Sequence, residues 1–301
     1  RGSMLCNTTG CGLVAVGSSA LDANTTGENN VGVGFNALSS NTTASANVAI
    51  GESSQSATTT GAQNVTVGNS SGIANTTGAS NVFIGHSGGR CNTTGSSNSA
   101  LGVCAFCKNT TGDTNVAIGG LALFDATTAA GNVAVGYNTM ANATTGHSNV
   151  ATGKEALLNL TTGAGNFGFG FLSGAEGGMI NVTSENNRAI FGNNSVTNAY
   201  VKVAFTVTSD ARDKTNFGTV PHGLDFVNKL EPVSFQFKKS REDDTPHGDL
   251  RYGFKAQDIM ALEGDNPVII DNEFEDALKY KGEHLVPVLV NAIKELKAEI
   301  E

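Results

Sequence analysis

Asn47-Val48-Ala49-Ile50-Gly51, Asn115-Val116-Ala117-Ile118-Gly119 and Asn132-Val133-Ala134-Val135-Gly136 are three copies of one pentad. Its leading residue recurs at Asn30, Asn47, Asn64, Asn81, Asn98, Asn115, Asn132, Asn149 and Asn166, in steps of 17, and Leu13 opens a tenth copy. The closing glycines keep step from Gly17 to Gly170. So does a Thr pair, from Thr8-Thr9 to Thr161-Thr162, usually followed by Gly; Ala44 and Ala129 are the exceptions. A fixed period over ten copies, with no insertion, reads as a solenoid whose units are too small to hold a core alone and bury one another by stacking.

Within one unit, Val48 and Ile50 fall on one side of a short strand and Ala49 on the other. The closing glycine supplies a turn, and Asn-Thr-Thr-Gly is turn chemistry. A second apolar pair, Ala37-Leu38 or Ala156-Leu157, is read as a second strand. At about 4.8 Å between stacked strands, ten coils rise on the order of 45–50 Å. The Val/Ile stripe sustained over ten coils needs a partner surface, and trimerisation around it satisfies that need. Asn at every coil is expected to form a ladder of side-chain hydrogen bonds.

Outward from the repeats, composition bounds the rest. The 301 residues include 38 Gly and 5 Pro, with no Trp, and the net charge is −9. With no basic run, nucleic acid is not an expected partner, and no apolar run is long enough for membrane insertion. Arg1-Gly2-Ser3 before Met4 reads as a tag remnant, so the chain is expected to be a fragment. Cys6, Cys11, Cys91, Cys104 and Cys107 are odd in number and irregular in spacing, which argues against a disulfide framework. Cys104 and Cys107 form a CxxC, open to metal or redox chemistry or to buried reduced thiols. The expectation is no metal and no cofactor, because a second ligand pair is lacking. The Asn-Thr-Thr triplets at Asn24, Asn75, Asn92 and Asn109 match a glycosylation acceptor, but turn chemistry accounts for them too. Only 10 of the 45 charged residues fall in 1–170, and no carboxylate pair recurs there to mark a hydrolase site.

The register changes after Gly170. Asn187-Arg188-Ala189-Ile190-Phe191-Gly192 reads as a last, degenerate coil, and 199–207 alternates as a strand leading into Ser209. Beyond it the composition becomes globular. Leu224, Val227 and Leu230 have helical spacing, ended by Pro232. Val233, Phe235 and Phe237 alternate as a strand, 238–249 is a charged loop, and Tyr252-Gly253-Phe254 is a second strand. Residues 256–262 form a short helix and 271–276 an acidic loop. Residues 285–300 form a final helix with Leu285, Leu289, Ala292, Ile293, Leu296 and Ile300 on one stripe. The expected fold is mainly β, a trimeric parallel β-roll or β-solenoid of 17-residue repeats, followed by a small α+β domain ending in a helix. Its parts are 1–12, tag remnant and lead-in; 13–174, β-roll; 175–208, connector; and 209–301, C-terminal domain.

The repeats over about 13–170 resemble the head repeats of trimeric autotransporter adhesins, which implies a trimeric left-handed β-roll. The C-terminal part resembles the intramolecular chaperone family, also called the S74 self-cleaving peptidase domain, found at the end of phage tailspikes. The resemblance rests on Ser-Asp-Ala-Arg-Asp-Lys (209–214), Leu-Glu-Pro-Val-Ser-Phe (230–235), Gly-Phe-Lys-Ala-Gln-Asp (253–258) and Leu-Val-Pro-Val-Leu-Val-Asn-Ala-Ile-Lys-Glu-Leu (285–296). Asp213 and Lys255 depart from the apolar residues common at their positions. Asp213 is expected to favour charged Lys214 and slow cleavage.

The resemblance implies a catalytic dyad, with Ser209 as nucleophile and Lys214 as general base, and a homotrimeric viral tail fibre or tailspike. The C-terminal domain would drive folding in the host cytoplasm and then be released by one turnover of self-cleavage, leaving the rest in the virion. A serine needs a base to attack a carbonyl, and a neutral lysine amine serves when burial lowers its pKa from about 10.4. The cut is expected at Thr208–Ser209, or one bond later at Asp210. Residues five apart do not share a helical face, so Ser209 lies outside the helix or the dyad forms between subunits. Read without the other motifs, the stretch is an N-cap Ser-Asp followed by a surface lysine. Two further readings are an adhesin whose repeats bind a host-surface glycan or receptor, and part of a glycan-degrading tailspike whose catalytic portion lies upstream.

Overall fold

The computed structural model describes residues 2–175, 179–274 and 276–301. It divides into two compact units, residues 1–194 and 195–301. Among the described residues no helix is long and apolar enough to cross a membrane.

The first unit is a parallel β-solenoid. Among the described residues, eleven strands of three residues, from β1 (Val14–Val16) to β11 (Ala189–Phe191), stack in sequence order in one sheet. Val48 pairs with Val65, and Ala49 with Thr66. The middle residue of each strand points inward: Ala49, Ala117, Ala134 and Ala151 are buried. The flanking Val and Ile face out; Val16, Ile50, Leu101 and Ile118 are among the exposed large apolar residues. Small residues inside leave room for the large ones delivered from the opposite side of the coil, where Leu38, Phe106, Leu123, Met140 and Leu157 are fully buried.

That opposite side is not the second strand expected from Ala37-Leu38. It is a turn in which two residues per coil adopt positive φ, as at Asn36 (55°) and Leu38 (51°). The chain still hydrogen-bonds between coils, through Leu38 N–H to Ser54 C=O and Asn36 N–H to Ser18 C=O. Alternating left-handed residues cannot make a pleated strand, yet they turn Leu38 inward. The closing glycines sit at positive φ; a Cβ on Gly136 (φ 136°) would stand 2.6 Å from Gly153 O.

The asparagine ladder is present and fully engaged. Asn98 Oδ1 accepts from Asn115 N–H (2.9 Å) and Nδ2 (3.1 Å), while Asn98 Nδ2 donates to Gly112 C=O (2.8 Å). A second ladder, not anticipated, runs through the turns in two stretches separated at Thr58: Asn41 Nδ2 to Asn24 Oδ1, 2.7 Å, and Asn92 Nδ2 to Asn75 Oδ1, 2.9 Å. Asn24, Asn75, Asn92 and Asn109 are therefore buried, and the turn accounts for these triplets. The last coil needs a correction. Phe167 pairs with Ala189, and Arg188 N–H donates to Asn166 Oδ1. Arg188, rather than Asn187, thus takes the ladder position, after a coil of 22 residues.

The second unit is smaller and more open. Residues 199–207 form no strand, contrary to the alternation. Tyr200 and Phe205 are 92% and 82% exposed. A strand needs a neighbour for its backbone groups, and none pairs with this segment among the described residues. α1 (Leu224–Val227) is shorter than predicted. It closes in tight turns, Leu230 N–H to Val227 C=O, before Pro232. β12 (Val233–Lys238) pairs antiparallel with β13 (Pro246–Gly253), which takes in part of the expected charged loop and stops before Phe254. Next come α2 (Ala256–Glu263), β14 (Ile270–Asp271) paired with β15 (Lys279–Tyr280), and α3 (Leu285–Ile300). The expected acidic loop thus begins in a strand, and its Glu275 lies outside the described residues. Pro287 is tolerated in the first turn of α3.

The expected apolar stripe of α3 divides in two. Leu285 and Val288 are buried in one cluster with Phe226, Ile259, Ile269 and Ile270, and Ala292 is buried as well. Val286, Leu289, Ile293, Leu296 and Ile300 are exposed. The second set alternates steps of three and four, the a/d pattern of a coiled-coil seam.

Candidate active site

Ser209 and Lys214 meet. Lys214 Nζ donates to Ser209 Oγ at 2.6 Å. A single 3₁₀ turn, Ala211–Asp213, makes this possible. Asp210 caps it, accepting Arg212 N–H at 2.9 Å, and Lys214 ends it in extended conformation with its N–H to Ala211 C=O. Ser209 precedes the cap, outside the helix, so the five-residue spacing closes within one polypeptide. The N-cap reading of Ser-Asp holds for Asp210 and coexists with the Ser–Lys contact.

Asp210 also grips Arg212, accepting its Nε at 3.1 Å. The Arg212 side chain foremost, and its N–H next, hold the Asp210 carboxyl below the usual range. Arg212 is thereby the ion partner of Asp210. Asp213 forms no such pair with Lys214 among the described residues, so the charge effect expected of it has no direct contact behind it.

The pair borders a cleft of about 770 Å³, whose other walls include Val220, Pro221, Ile269, Pro287 and Val288. Both walls are tied down by acidic or amide side chains that the motifs did not single out. Glu263, at the end of α2, accepts the N–H groups of Val268 (2.8 Å), Ile269 (2.8 Å) and Ile270 (3.0 Å). From α3, Asn291 Nδ2 donates to Val220 C=O (3.2 Å) and His222 C=O (3.3 Å), and Glu295 accepts Leu224 N–H (2.6 Å). The signal for the last two was a polar i, i+4 pair on the predicted helix, on the side away from its a/d residues. His222 and His284 also line the cleft.

Of the four motifs, 209–214 makes the Ser–Lys pair and 285–296 supplies a cleft wall. The other two build β12 and the β13–α2 corner and contribute no residue to the cleft lining. In the solenoid, Cys107 is buried and its thiol is pushed up to about 11, by burial first and by Cys104 and Cys91 next. Among the described residues, no group of three or more His, Cys, Asp or Glu could hold a metal ion.

Residues 209–267 match the Peptidase S74 family, described as the chaperone of endosialidase. No curated protein and no solved structure matches the chain. The match begins at Ser209, the first residue of the Ser–Lys pair, and ends within the loop held by Glu263. The chain is thus a β-solenoid of 17-residue repeats followed by a segment, residues 209–267, that matches the family described as the chaperone of endosialidase.

Proposed function

We propose that the protein is part of a viral tail fibre or tailspike. Its C-terminal unit sets three copies in register, and each copy then cuts itself at Thr208–Ser209. The observation that carries this reading is the 2.6 Å hydrogen bond from Lys214 Nζ to Ser209 Oγ. With Lys214 neutral, its amine takes the Ser209 hydroxyl proton while Oγ attacks the Thr208 carbonyl carbon through a five-membered ring. The Thr208–Ser209 C–N bond breaks as the lysine returns that proton to the departing Ser209 nitrogen. An ester between Thr208 and Ser209 Oγ remains. Water hydrolyses it to a Thr208 carboxylate and the free Ser209 hydroxyl.

Lys214 is exposed in the isolated protomer. Desolvation of the amine favours its neutral form, and assembly is the event that would provide it. Two exposed apolar surfaces support assembly: the outward Val/Ile residues of the solenoid and the a/d face of α3. Taken alone, Val or Ile at a with Leu at d suits a two-stranded seam. The count of three comes from the resemblance of the repeats to trimeric adhesin heads.

Intact-mass analysis of purified protein tests the cut. The expected products are 1–208 with a free carboxylate and 209–301 with a free Ser209 amine. A product beginning at Asp210 would move the scissile bond by one residue, and a fully intact protein would refute cleavage.

A further inference from the structure

Resting on the self-cleavage reading, we propose that Asn291 and Glu295 are positioning residues: a clamp by which α3 holds a wall of the cleft that the Ser209–Lys214 pair borders. The segment 220–224 supplies that wall through Val220, Pro221 and His222. It has little regular structure of its own, since α1 begins only at Leu224. Its backbone is fixed instead by three hydrogen bonds from one helix: Asn291 Nδ2 to the carbonyls of Val220 and His222, and Leu224 N–H to Glu295 Oε2.

Gly223 gives an independent sign of this fit. A Cβ there would collide with both carboxylate oxygens of Glu295, so glycine is what lets the carboxylate reach Leu224 N–H. His222 stacks on Phe226 at 4.3 Å between ring centroids, which joins the segment to the buried core.

The clamp lies on the side of α3 away from Val286, Leu289, Ile293, Leu296 and Ile300. The helix therefore has one exposed apolar face suited to other copies and one polar face gripping the cleft. Seating the first face fixes the helix, and the second carries that constraint to a wall of the cleft that Lys214 borders. A wall held in place excludes water from the amine and keeps the serine in reach of its carbonyl.

The test follows self-cleavage of the full-length protein over time, with sedimentation and melting measured on each variant. Wild type is expected to cut and Ser209→Ala to stay intact. Glu295→Ala and Asn291→Ala are expected to cut more slowly, by up to about 100-fold, with unchanged assembly and melting. Glu295→Gln keeps an acceptor and should cut within a few-fold of wild type. Gly223→Ala displaces only the flexible end of Glu295, so it should fold normally and slow cleavage as Glu295→Ala does. Wild-type rates in both Glu295→Ala and Gly223→Ala would overturn the clamp and leave self-cleavage standing. So would slowing seen only in variants that no longer assemble, or slowing in Glu295→Gln equal to that in Glu295→Ala. An intact wild type would overturn the self-cleavage reading, and the clamp with it.

Discussion

The solenoid and the C-terminal unit solve opposite problems. Each coil bonds most of its backbone to its neighbours, and Asn98 uses both ends of its amide on adjacent coils. The C-terminal unit leaves Tyr200, Val203, Phe205 and one face of α3 exposed. The comparison teaches that repetition supplies strength but not an origin. The asparagine ladders run within one copy, so in the proposed assembly a slip of one whole repeat between copies would leave them intact, and little in the repeats themselves would penalise a wrong start. In the function we propose, the unit without repeats defines the origin.

The largest effect should come from separating the two. A protein ending at Thr208 is expected to misfold when expressed alone, because its coils present open strand edges and no fixed start. Yield and heat resistance of the soluble assembly measure this. Equal yields of equally resistant assemblies from the short and full-length proteins would break the comparison.

Next in size is a charge on the exposed face of α3. Ile293→Asp places a carboxylate at a central a position of the seam and should abolish assembly at micromolar concentration, as read by light scattering. The fold of each separate C-terminal unit should survive, since Ile293 is 67% exposed. Assembly unchanged from wild type would remove α3 from the interface.

A smaller effect separates buried from exposed asparagines within the solenoid. Asn98→Ala orphans the N–H of Asn115, at about 1–3 kcal/mol for a buried group left unpaired, while the Gly112 carbonyl keeps its bond from Asn109 Nδ2. Asn142→Ala, at an exposed position in a later coil, should change stability by about 0.5 kcal/mol or less. Denaturant unfolding distinguishes the two. Equal losses would mean that the ladder is not what holds the coils.

The same contrast governs how far the sequence could be read. The period and the Asn column were legible because one physical constraint repeats ten times. The backbone opposite each strand was not, since Ala37-Leu38 is compatible with a strand until alternating positive φ is known. The second asparagine ladder was hidden behind turn chemistry, which explains the same residues without saying that they are buried. In the C-terminal unit, α3 matched its predicted span because its apolar spacing is long and regular. Residues 199–207 did not form their strand, because alternation states a preference for pairing and cannot supply the partner. Ser209 and Lys214 were legible through motif resemblance. Asn291 and Glu295 act on backbone groups distant in sequence, and Glu263 on a loop just beyond its own helix; those contacts exist only once the protein is folded.

The most direct test of the central claim is a time course by denaturing gel of freshly purified wild type beside Ser209→Ala and Lys214→Ala. Self-cleavage by the Ser209–Lys214 pair predicts fragments 1–208 and 209–301 from wild type only, and intact, folded, assembled protein from both variants. Processing of Ser209→Ala at this junction without added protease, or a wild type that assembles and stays whole, would contradict it.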